Sequence, residues 1–283
     1  MFGFLNIYKP KGKTSHDVVA ILRRVTKIKQ IGHTGTLDPF AEGVLPICIG
    51  KATRLIEYLK DDKAYIGTIQ LGKSTETYDI EGNIVNISEK KVTLNEIEEK
   101  LQQFRGEIEQ FPPIYSAIKV NGKKLYEYAR KGEEVKIEPR KVTIYKLEIV
   151  NFDKENQTVD LYIECSKGTY IRSIANDLGE SLGCYGHLTK LVRTKAGKFL
   201  LENTIQLEDL NTIENIQKSL INPIDYLEYP IHELTPKEKE KISHGMSINL
   251  DTENTTVVLT DSEKIAAVAV VNNKVAKVSK VFI

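Results

Sequence analysis

Hydrophobic and polar residues repeat with two different periods along the chain, which predicts a mixture of helices and strands. Apolar residues recur at three- and four-residue spacing after Ser15 and again from Ala52 to Leu59. The same period follows Thr93, where Glu96 completes a capping box, and it returns after Gly168 in GTYIRSIANDLGESLG. Each of these four segments is predicted to be a helix with one apolar face.

Shorter apolar or alternating runs predict strands. They occur from Ala64 to Leu71 and in KVTIYKLEIV and TVDLYIECS, which a polar connection joins into a predicted long hairpin. Asn121-Gly122 is typical of a tight hairpin turn. Because strands and helices mix without strict βαβ alternation, we predict an α+β fold around a mixed, largely antiparallel sheet.

The C-terminal part of the chain has a different pattern. A proline-containing linker, INPIDYLEYP, extends from Ile221 to Pro230 and precedes a short helical segment. Three β-type runs follow: TTVVLT, KIAAVAVV and KVAKVSKVFI. We therefore predict two domains, residues 1–225 and a small all-β domain at residues 229–283.

Charge is segregated along the chain although its net value over 283 residues is only +1. Residues 1–60 carry ten Lys/Arg against four Asp/Glu, residues 119–146 carry nine against four, and residues 165–200 carry six against two. Residues 76–109 are acidic, with four Lys/Arg against nine Asp/Glu. Three basic segments gathered on one face would form a surface that binds a polyanion.

Several protein classes are disfavoured. No stretch approaches the roughly 20 apolar residues of a membrane span, and MFGFLNIYKPKGKTS lacks the pattern of a signal peptide. Cys48, Cys165 and Cys184 are odd in number, far apart and without a CxxC pair. We expect them to be buried, reduced thiols in a cytoplasmic protein that has no metal site and no membrane association.

The segment GHTGTLDPFAEGVLPI contains an unusual carboxylate, Asp38, in a loop punctuated by glycines. Two interpretations are open from the residues alone. Asp38 caps a helix whose first residue is Pro39, or the glycines allow this loop to approach a ligand closely. His33 is likewise either a hydrogen-bonded structural residue or a functional one.

Two further segments carry candidate chemistry. FPPIYSAIKVNGKKLYEYARKGEEV interleaves tyrosines with lysines and arginines, which suits nucleic acid, or its helix packs its own tyrosines against the core. Arg172, at an otherwise apolar helix start, is either a surface residue or a buried partner of a carboxylate. The residues alone indicate an α+β protein with features of a polyanion-binding protein.

Six segments together resemble the tRNA pseudouridine-55 synthase family of bacteria. They occur in family order over roughly the first 200 residues: LNIYKPKGKTSHDVV, GHTGTLDPFAEGVLPI, the KAY strand start, FPPIYSAIKVNGKKLYEYARKGEEV, GTYIRSIANDLGESLG and HLTKLVRTKAGKF. The resemblance implies a pseudouridine-synthase catalytic domain that flips uridine 55 out of the TΨC loop of tRNA and isomerises it. It implies neither a metal nor any other cofactor.

The resemblance also implies site residues. Asp38 acts on the sugar as nucleophile or base, Arg172 pairs with it, and Tyr65 stacks on the flipped uracil and takes part in the late proton transfer. The other family positions contact the RNA, line the base pocket or brace the active-site loop; they are His33, Tyr170, Leu191, Lys9 and Pro10.

The family's partner is the T-arm stem-loop of tRNA. Residues 114–146 resemble a mobile insertion that clamps this arm, and residues 229–283 occupy the place of a PUA domain. We expect a monomer without an obligate protein partner. Two alternatives are a guide-RNA-dependent pseudouridine synthase and a tRNA-folding chaperone without essential catalysis.

Overall fold

A computed structural model describes all residues of the chain, Met1–Ile283. The chain forms six α-helices and 19 strands. The helices are α1 (Ser15–Thr26), α2 (Leu94–Leu101), α3 (Leu125–Lys131), α4 (Ile171–Ser181), α5 (Ile213–Lys218) and α6 (Pro236–Ser243). The strands of the first half are β1 (Gly3–Lys9), β2 (Ile31–His33), β3 (Glu42–Ile49), β4 (Lys63–Leu71), β5 (Lys73–Thr75), β6 (Ile84–Ile87), β7 (Gly106–Gln110), β8 (Lys119–Val120) and β9 (Lys123–Lys124). Those of the second half are β10 (Arg140–Asp153), β11 (Thr158–Cys165), β12 (Gly186–Ala196), β13 (Phe199–Leu200), β14 (Ile205–Gln206), β15 (Ile231–Glu233), β16 (Ile248–Asn249), β17 (Thr255–Asp261), β18 (Lys264–Asn272) and β19 (Val275–Val281).

Ten of these strands form one large sheet in the order β14-β1-β3-β12-β4-β11-β10-β7, with β2 on β3 and β13 on β12. All pairs are antiparallel except β1 with β14 and β3 with β12. The predicted hairpin of β10 and β11 is present, and β11 alternates buried and half-buried residues along its whole length. The prediction of an α+β fold around a mixed, largely antiparallel sheet is confirmed.

Helices cover this sheet because each has an apolar face. Val18 and Leu22 of α1 pack in one cluster with residues of β1 and β3. Ile97 of α2 and Ile174 and Leu178 of α4 pack in another cluster with β4, β10, β11 and β12. The capping box predicted at Thr93 begins α2, whereas the apolar stripe from Ala52 to Leu59 forms a 3-10 helix, Gly50–Tyr58, with Leu59 as its extended C-cap.

The predicted small β domain is present as a five-stranded sheet in the order β15-β17-β18-β19-β16. It has its own apolar cluster, to which α6 contributes Ile242. Val258, Ile265 and Val268 belong instead to a cluster shared with Phe4 and Leu55 of the larger unit. Apolar burial therefore holds the two sheets against each other.

The loop around Asp38 contains no helix, so the interpretation of Asp38 as a helix cap is wrong. Pro39 and Phe40 form a turn in which the Ala41 N–H donates to the Asp38 carbonyl at 3.1 Å, and β3 follows immediately. The physical reason is that β3 begins at Glu42, where Glu42 and Gly43 pair with Val192 and Arg193 of β12. The φ of Gly43 is +103°, and a Cβ there would clash with the Arg193 carbonyl oxygen, because β3 and β12 approach closely.

The prediction of buried, unpaired cysteines is confirmed, since Cys48, Cys165 and Cys184 are all free and buried. Burial raises the pKa of the Cys48 thiol to about 12 and that of Cys165 to about 11. Both therefore stay protonated and unreactive at neutral pH. None of the helices combines the length and apolar character needed to cross a bilayer.

Candidate active site

Asp38 lies in the loop between β2 and β3, and contacts from behind fix that loop. The Ser15 hydroxyl, at the start of α1, accepts a hydrogen bond from the Leu37 N–H at 2.9 Å and donates to the Leu37 carbonyl at 3.3 Å. The Gly12 N–H donates to the Pro39 carbonyl at 2.8 Å. Both residues next to Asp38 are thus held by backbone hydrogen bonds, which preorganises its carboxylate.

Lys9 and Pro10 support the same loop. The Lys9 side chain is fully buried, and its ammonium donates to the Pro10 carbonyl at 3.0 Å and to the Pro39 carbonyl at 3.4 Å. Burial lowers the pKa of Lys9 to about 8, although Asp38 opposes that shift. The bracing role that the resemblance implies for the pair stays a prediction, and neither residue lines the cleft around Asp38.

Arg193 is a third support, and sequence reasoning did not single it out. Its side chain is fully buried in β12 and donates to two loop carbonyls, those of Thr36 at 3.3 Å and Gly35 at 3.1 Å, and to the Val44 carbonyl of β3 at 2.7 Å. The available signal was its position in HLTKLVRTKAGKF, one of the segments that resemble the family.

Arg172 is buried against a carboxylate, as the resemblance implies. Its Nε lies 3.0 Å from Oδ2 of Asp38, and its Nη2 donates to Oδ1 at 3.3 Å. The Arg172 side chain is 6% exposed and that of Asp38 is 33% exposed. Burial raises the pKa of Asp38, while the guanidinium opposes the shift by favouring the carboxylate. Asp38 is therefore a carboxylate with increased basicity that an ion pair still holds and orients.

Asp79 is a second carboxylate on the same guanidinium, and sequence reasoning missed it. Its Oδ2 lies 3.3 Å from Nη1 of Arg172, and its side chain is only 4% exposed. The Thr77 hydroxyl and the Glu81 N–H donate to its Oδ1 at 2.6 Å and 3.0 Å. Asp79 thus anchors Arg172 from the side away from the cleft. In the sequence Asp79 is one of nine acidic residues in the segment 76–109, and nothing there marks it as a partner of Arg172.

A cleft of about 600 Å³ opens above Asp38, a size typical of small-ligand sites. Of the predicted residues, Asp38, Arg172, Tyr65, Tyr170 and Leu191 line it. The opposite wall comes from residues 115–117 and Tyr126, which lie within the predicted RNA-clamping insertion. The Tyr115 carbonyl accepts a hydrogen bond from Nη2 of Arg172 at 3.2 Å, which ties this wall to the ion pair.

The two cleft tyrosines are both held in place. Tyr65 is buried on β4, and burial raises the pKa of its hydroxyl while Arg193 opposes that shift. Tyr170 precedes α4, where the buried Gln110 side chain accepts from its N–H at 2.7 Å and donates to its carbonyl at 3.0 Å. Burial raises the pKa of Tyr170 as well. With Leu191 they give the cleft an aromatic and apolar lining.

His33 ends β2 and is not among the residues that line the cleft. Its ring lies 5.7 Å from the exposed His16 ring in an edge-to-face arrangement, and its Nδ1 is buried without a hydrogen-bond partner. Burial lowers the pKa of His33 from 6.5 to about 4, helped by the neighbouring His16 and Arg193. His33 is therefore neutral at physiological pH and keeps an unused polar atom.

The low pKa of His33 predicts a pH dependence of folding. As the pH falls from 6.5 toward about 4, the unfolded chain binds a proton that the folded chain refuses, so the free energy of unfolding decreases in that window. We expect His33→Gln, which is neutral throughout, to lose less stability than the wild type between about pH 7 and about pH 4.5 in urea unfolding. His244→Gln, at an exposed histidine, is the control and should follow the wild type. Equal losses in His33→Gln and the wild type would disprove the low pKa.

No group of three or more His, Cys, Asp or Glu side chains is arranged to hold a metal ion. The cleft brings together one ion-paired carboxylate, a guanidinium shared with a second carboxylate, and two tyrosines. This set suits nucleophilic or general-base chemistry on a ligand with a planar ring.

Two family models match most of the chain. The model described as TruB family pseudouridylate synthase (N terminal domain) matches residues 23–171, and that of the tRNA pseudouridylate synthase B C-terminal domain matches residues 172–228. Their border falls inside α4, and strands from both ranges share the large sheet. The five-stranded sheet lies beyond residue 228.

Solved structures share the fold. A complex of Cbf5 with Nop10 and Gar1 matches 100% of this chain and 85% of the other, with a TM-score of 0.75 and 25% identity. A chain of an H/ACA RNP bound to a substrate RNA containing 2′-deoxyuridine also matches 100% of this chain and 85% of its own length, with a TM-score of 0.74 and 23% identity.

Curated relatives are closer in sequence. A protein of Caldanaerobacter subterraneus named tRNA pseudouridine synthase B is 46% identical, covering 93% of this chain and 92% of its own. One of the same name from Clostridium kluyveri is 48% identical, covering 88% and 86%. Identity at this level over nearly the whole length, together with the family models, means that this chain belongs to the TruB family of pseudouridylate synthases.

Proposed function

We propose that this protein converts uridine 55 in the TΨC loop of tRNA into pseudouridine. One observation carries the proposal: the Asp38–Arg172 ion pair lies at the bottom of a cleft of nucleoside size, in a chain of the TruB family. The reaction is an isomerisation. The N1–C1′ bond breaks, the uracil rotates, C5 bonds to C1′, C5 loses its proton and N1 gains one.

Asp38 supplies the reactive group of this proposal. Its carboxylate acts on the ribose, by attack on C1′ or by removal of the C2′ proton. Burial makes it more basic, and Arg172 keeps it oriented and charged until it reacts. Both interactions are in place before substrate binds, so little reorganisation is needed at the reactive step.

The aromatic lining suits a uracil that has left the RNA stack. In the proposal Tyr65 stacks on the flipped base, and Tyr170 and Leu191 complete its pocket. In the proposal His33, outside the cleft and neutral, takes the vacated position within the RNA. Flipping costs a few kcal/mol, and contacts of this kind offset that cost.

Residues 114–146 form the proposed clamp on the T-arm. Tyr126 lies in the wall of the cleft, and the side chains of Lys124 and Arg130 both lie over its ring, each 5.3 Å from the centroid. Two cations beside an aromatic ring offer phosphate contact next to a surface on which a base can stack. This clamp belongs to a proposed catalytic domain of residues 1–225.

Residues 229–283 form the proposed PUA-like domain. It carries seven Lys/Arg against seven Asp/Glu, so in the proposal it holds RNA by shape more than by charge. The fold is also found in Cbf5 complexes with other proteins, but curated relatives of 42–49% identity named tRNA pseudouridine synthase B favour an enzyme that needs no guide RNA. We accordingly propose a cytoplasmic monomer.

The test is incubation of the purified protein, alone, with a T-arm stem-loop RNA, followed by mapping of pseudouridine. We expect complete conversion at position 55 and none in an RNA with cytidine there. Conversion only after a guide RNA or a further protein is added would support the Cbf5-like alternative. Binding without conversion would support the chaperone alternative.

A further inference from the structure

Lys63 is a cationic residue of the cleft, and it takes no part in the proposed reaction as described above. It is the first residue of β4 and lies two positions before Tyr65, and both residues line the cleft. Side chains two apart on a strand share a face and are separated by about 6 to 7 Å. A nucleotide whose base stacks on Tyr65 therefore has its sugar and phosphate within reach of Lys63.

Lys63 also lacks an anionic partner, unlike the lysines around it. Its ammonium forms no ion pair and donates only to the Asp61 carbonyl at 2.6 Å, while the Asp61 carboxylate binds Lys167 at 2.7 Å. Lys195, on the neighbouring strand, binds Asp62 at 2.9 Å and Glu164 at 2.6 Å. The nearby acids are thus engaged by other lysines.

A second unpaired cation lies next to Lys63. The buried Arg193 donates only to carbonyl oxygens and forms no ion pair. Both cations lie beneath Gly35, where a Cβ would be 3.4 Å from Cε of Lys63 and 3.8 Å from Nη1 of Arg193. Burial lowers the pKa of Lys63 and Arg193 adds to that effect, while Asp61 and Asp62 oppose it.

We propose that Lys63 binds the phosphodiester of the RNA backbone next to the flipped uridine, with Arg193 raising the positive potential beneath it. The inference rests on the proposed function, because an extruded nucleotide brings its phosphate into the cleft. The phosphate supplies the negative charge that the two cations lack. Asp38 then faces the ribose between a base held at Tyr65 and a phosphate held at Lys63.

The experiment measures affinity for T-arm stem-loop RNA at several salt concentrations for the wild type, Lys63→Met and Lys63→Arg. We expect Lys63→Met to bind about tenfold more weakly. Its salt slope should be smaller by about 0.7 to 0.9, the value for one lost phosphate contact. Lys63→Arg should restore the slope. Lys218→Met is the control, since Lys218 is exposed and paired with Glu214 on α5, and it should keep the wild-type slope.

Neutral methylphosphonate linkages then locate the contact. Two RNAs are made, each with one such linkage, on the 5′ or the 3′ side of uridine 55. In one of the two RNAs the linkage should weaken wild-type binding about tenfold and Lys63→Met binding less than twofold. Equal weakening in both proteins, or an unchanged salt slope in Lys63→Met, would overturn the inference. A thermal melt confirms that each variant is folded. Pseudouridine formation by the wild type is measured separately on RNA without methylphosphonates. If the wild type forms no pseudouridine, the proposed function is rejected, and this result is independent of the Lys63 contact.

Discussion

Replacing Asp38 by asparagine is expected to abolish pseudouridine formation while leaving the complex with tRNA nearly intact. The amide keeps the shape of the carboxylate and an oxygen that accepts from Nη2 of Arg172, so the loop held by Ser15 and Lys9 keeps its conformation. It loses the negative charge that attacks carbon or removes a proton. Loss of such a group typically lowers the rate by at least about 10⁴-fold.

Single-turnover assays with enzyme in excess measure this rate without interference from product release. Affinity for the same RNA should stay within a few fold, because the backbone and base contacts do not involve Asp38. Asp209→Asn makes the same chemical change at an exposed position outside the cleft and should keep both rate and affinity. An Asp38→Asn variant that isomerises uridine at the wild-type rate would remove Asp38 from the mechanism. One that no longer binds RNA would instead give Asp38 a structural role.

Much of the fold followed from local signals. The capping box at Thr93 and the Asn121-Gly122 turn fixed element ends through hydrogen bonds and backbone angles that neighbouring residues determine. The alternation in β11 likewise follows from one buried face. The Asp38 loop was harder, because Asp-Pro is a common helix start. The strand pairing that takes the place of a helix there joins Gly43 of β3 with Arg193 of β12, which are far apart in sequence.

The separation in sequence between contacting residues also explains which site residues the sequence could indicate. Asp38, Tyr65 and Arg172 lie in segments that resemble a known family, and the structure brings all three to one cleft. Asp79 and Arg193 act through partners 93 residues and about 150 residues away, and the sequence alone does not pair either residue with its partner. Their roles depend on burial and on direction of hydrogen bonding, which exist only in the folded chain.

The shared guanidinium makes the site a network of three charges. Arg172 contacts Asp38 toward the cleft and Asp79 behind it, and its Nη1 also donates to the Thr77 carbonyl at 3.2 Å. Burial raises the pKa of Asp38, and Asp38 is the more exposed of the two carboxylates, which favours its reaction with an electron-poor carbon. The geometry of Asp38 therefore depends on Asp79 through Arg172.

Arg172→Met is accordingly expected to damage both stability and catalysis. Methionine fills a similar volume but leaves Asp79, which is 4% exposed, without its cation. Removing one partner of a buried ion pair typically costs about 3 to 5 kcal/mol in the free energy of unfolding. Asp38 also loses the donor that orients it, so the isomerisation rate should fall at least about 10³-fold. Urea unfolding and single-turnover assays measure the two effects.

The double variant Asp79→Asn/Arg172→Met separates these effects. In this variant position 79 carries no charge, so no unpaired charge is buried and much of the lost free energy of unfolding should return. Asp38 still lacks the donor that orients it, so the isomerisation rate should stay low. Arg24→Met, at an exposed arginine of α1, is the control and should change the free energy of unfolding by less than about 0.5 kcal/mol. If the double variant regained the rate together with the stability, Arg172 would act only by supporting the fold. If Arg172→Met alone unfolded like the wild type, the ion pairs with Asp38 and Asp79 would not be present in solution.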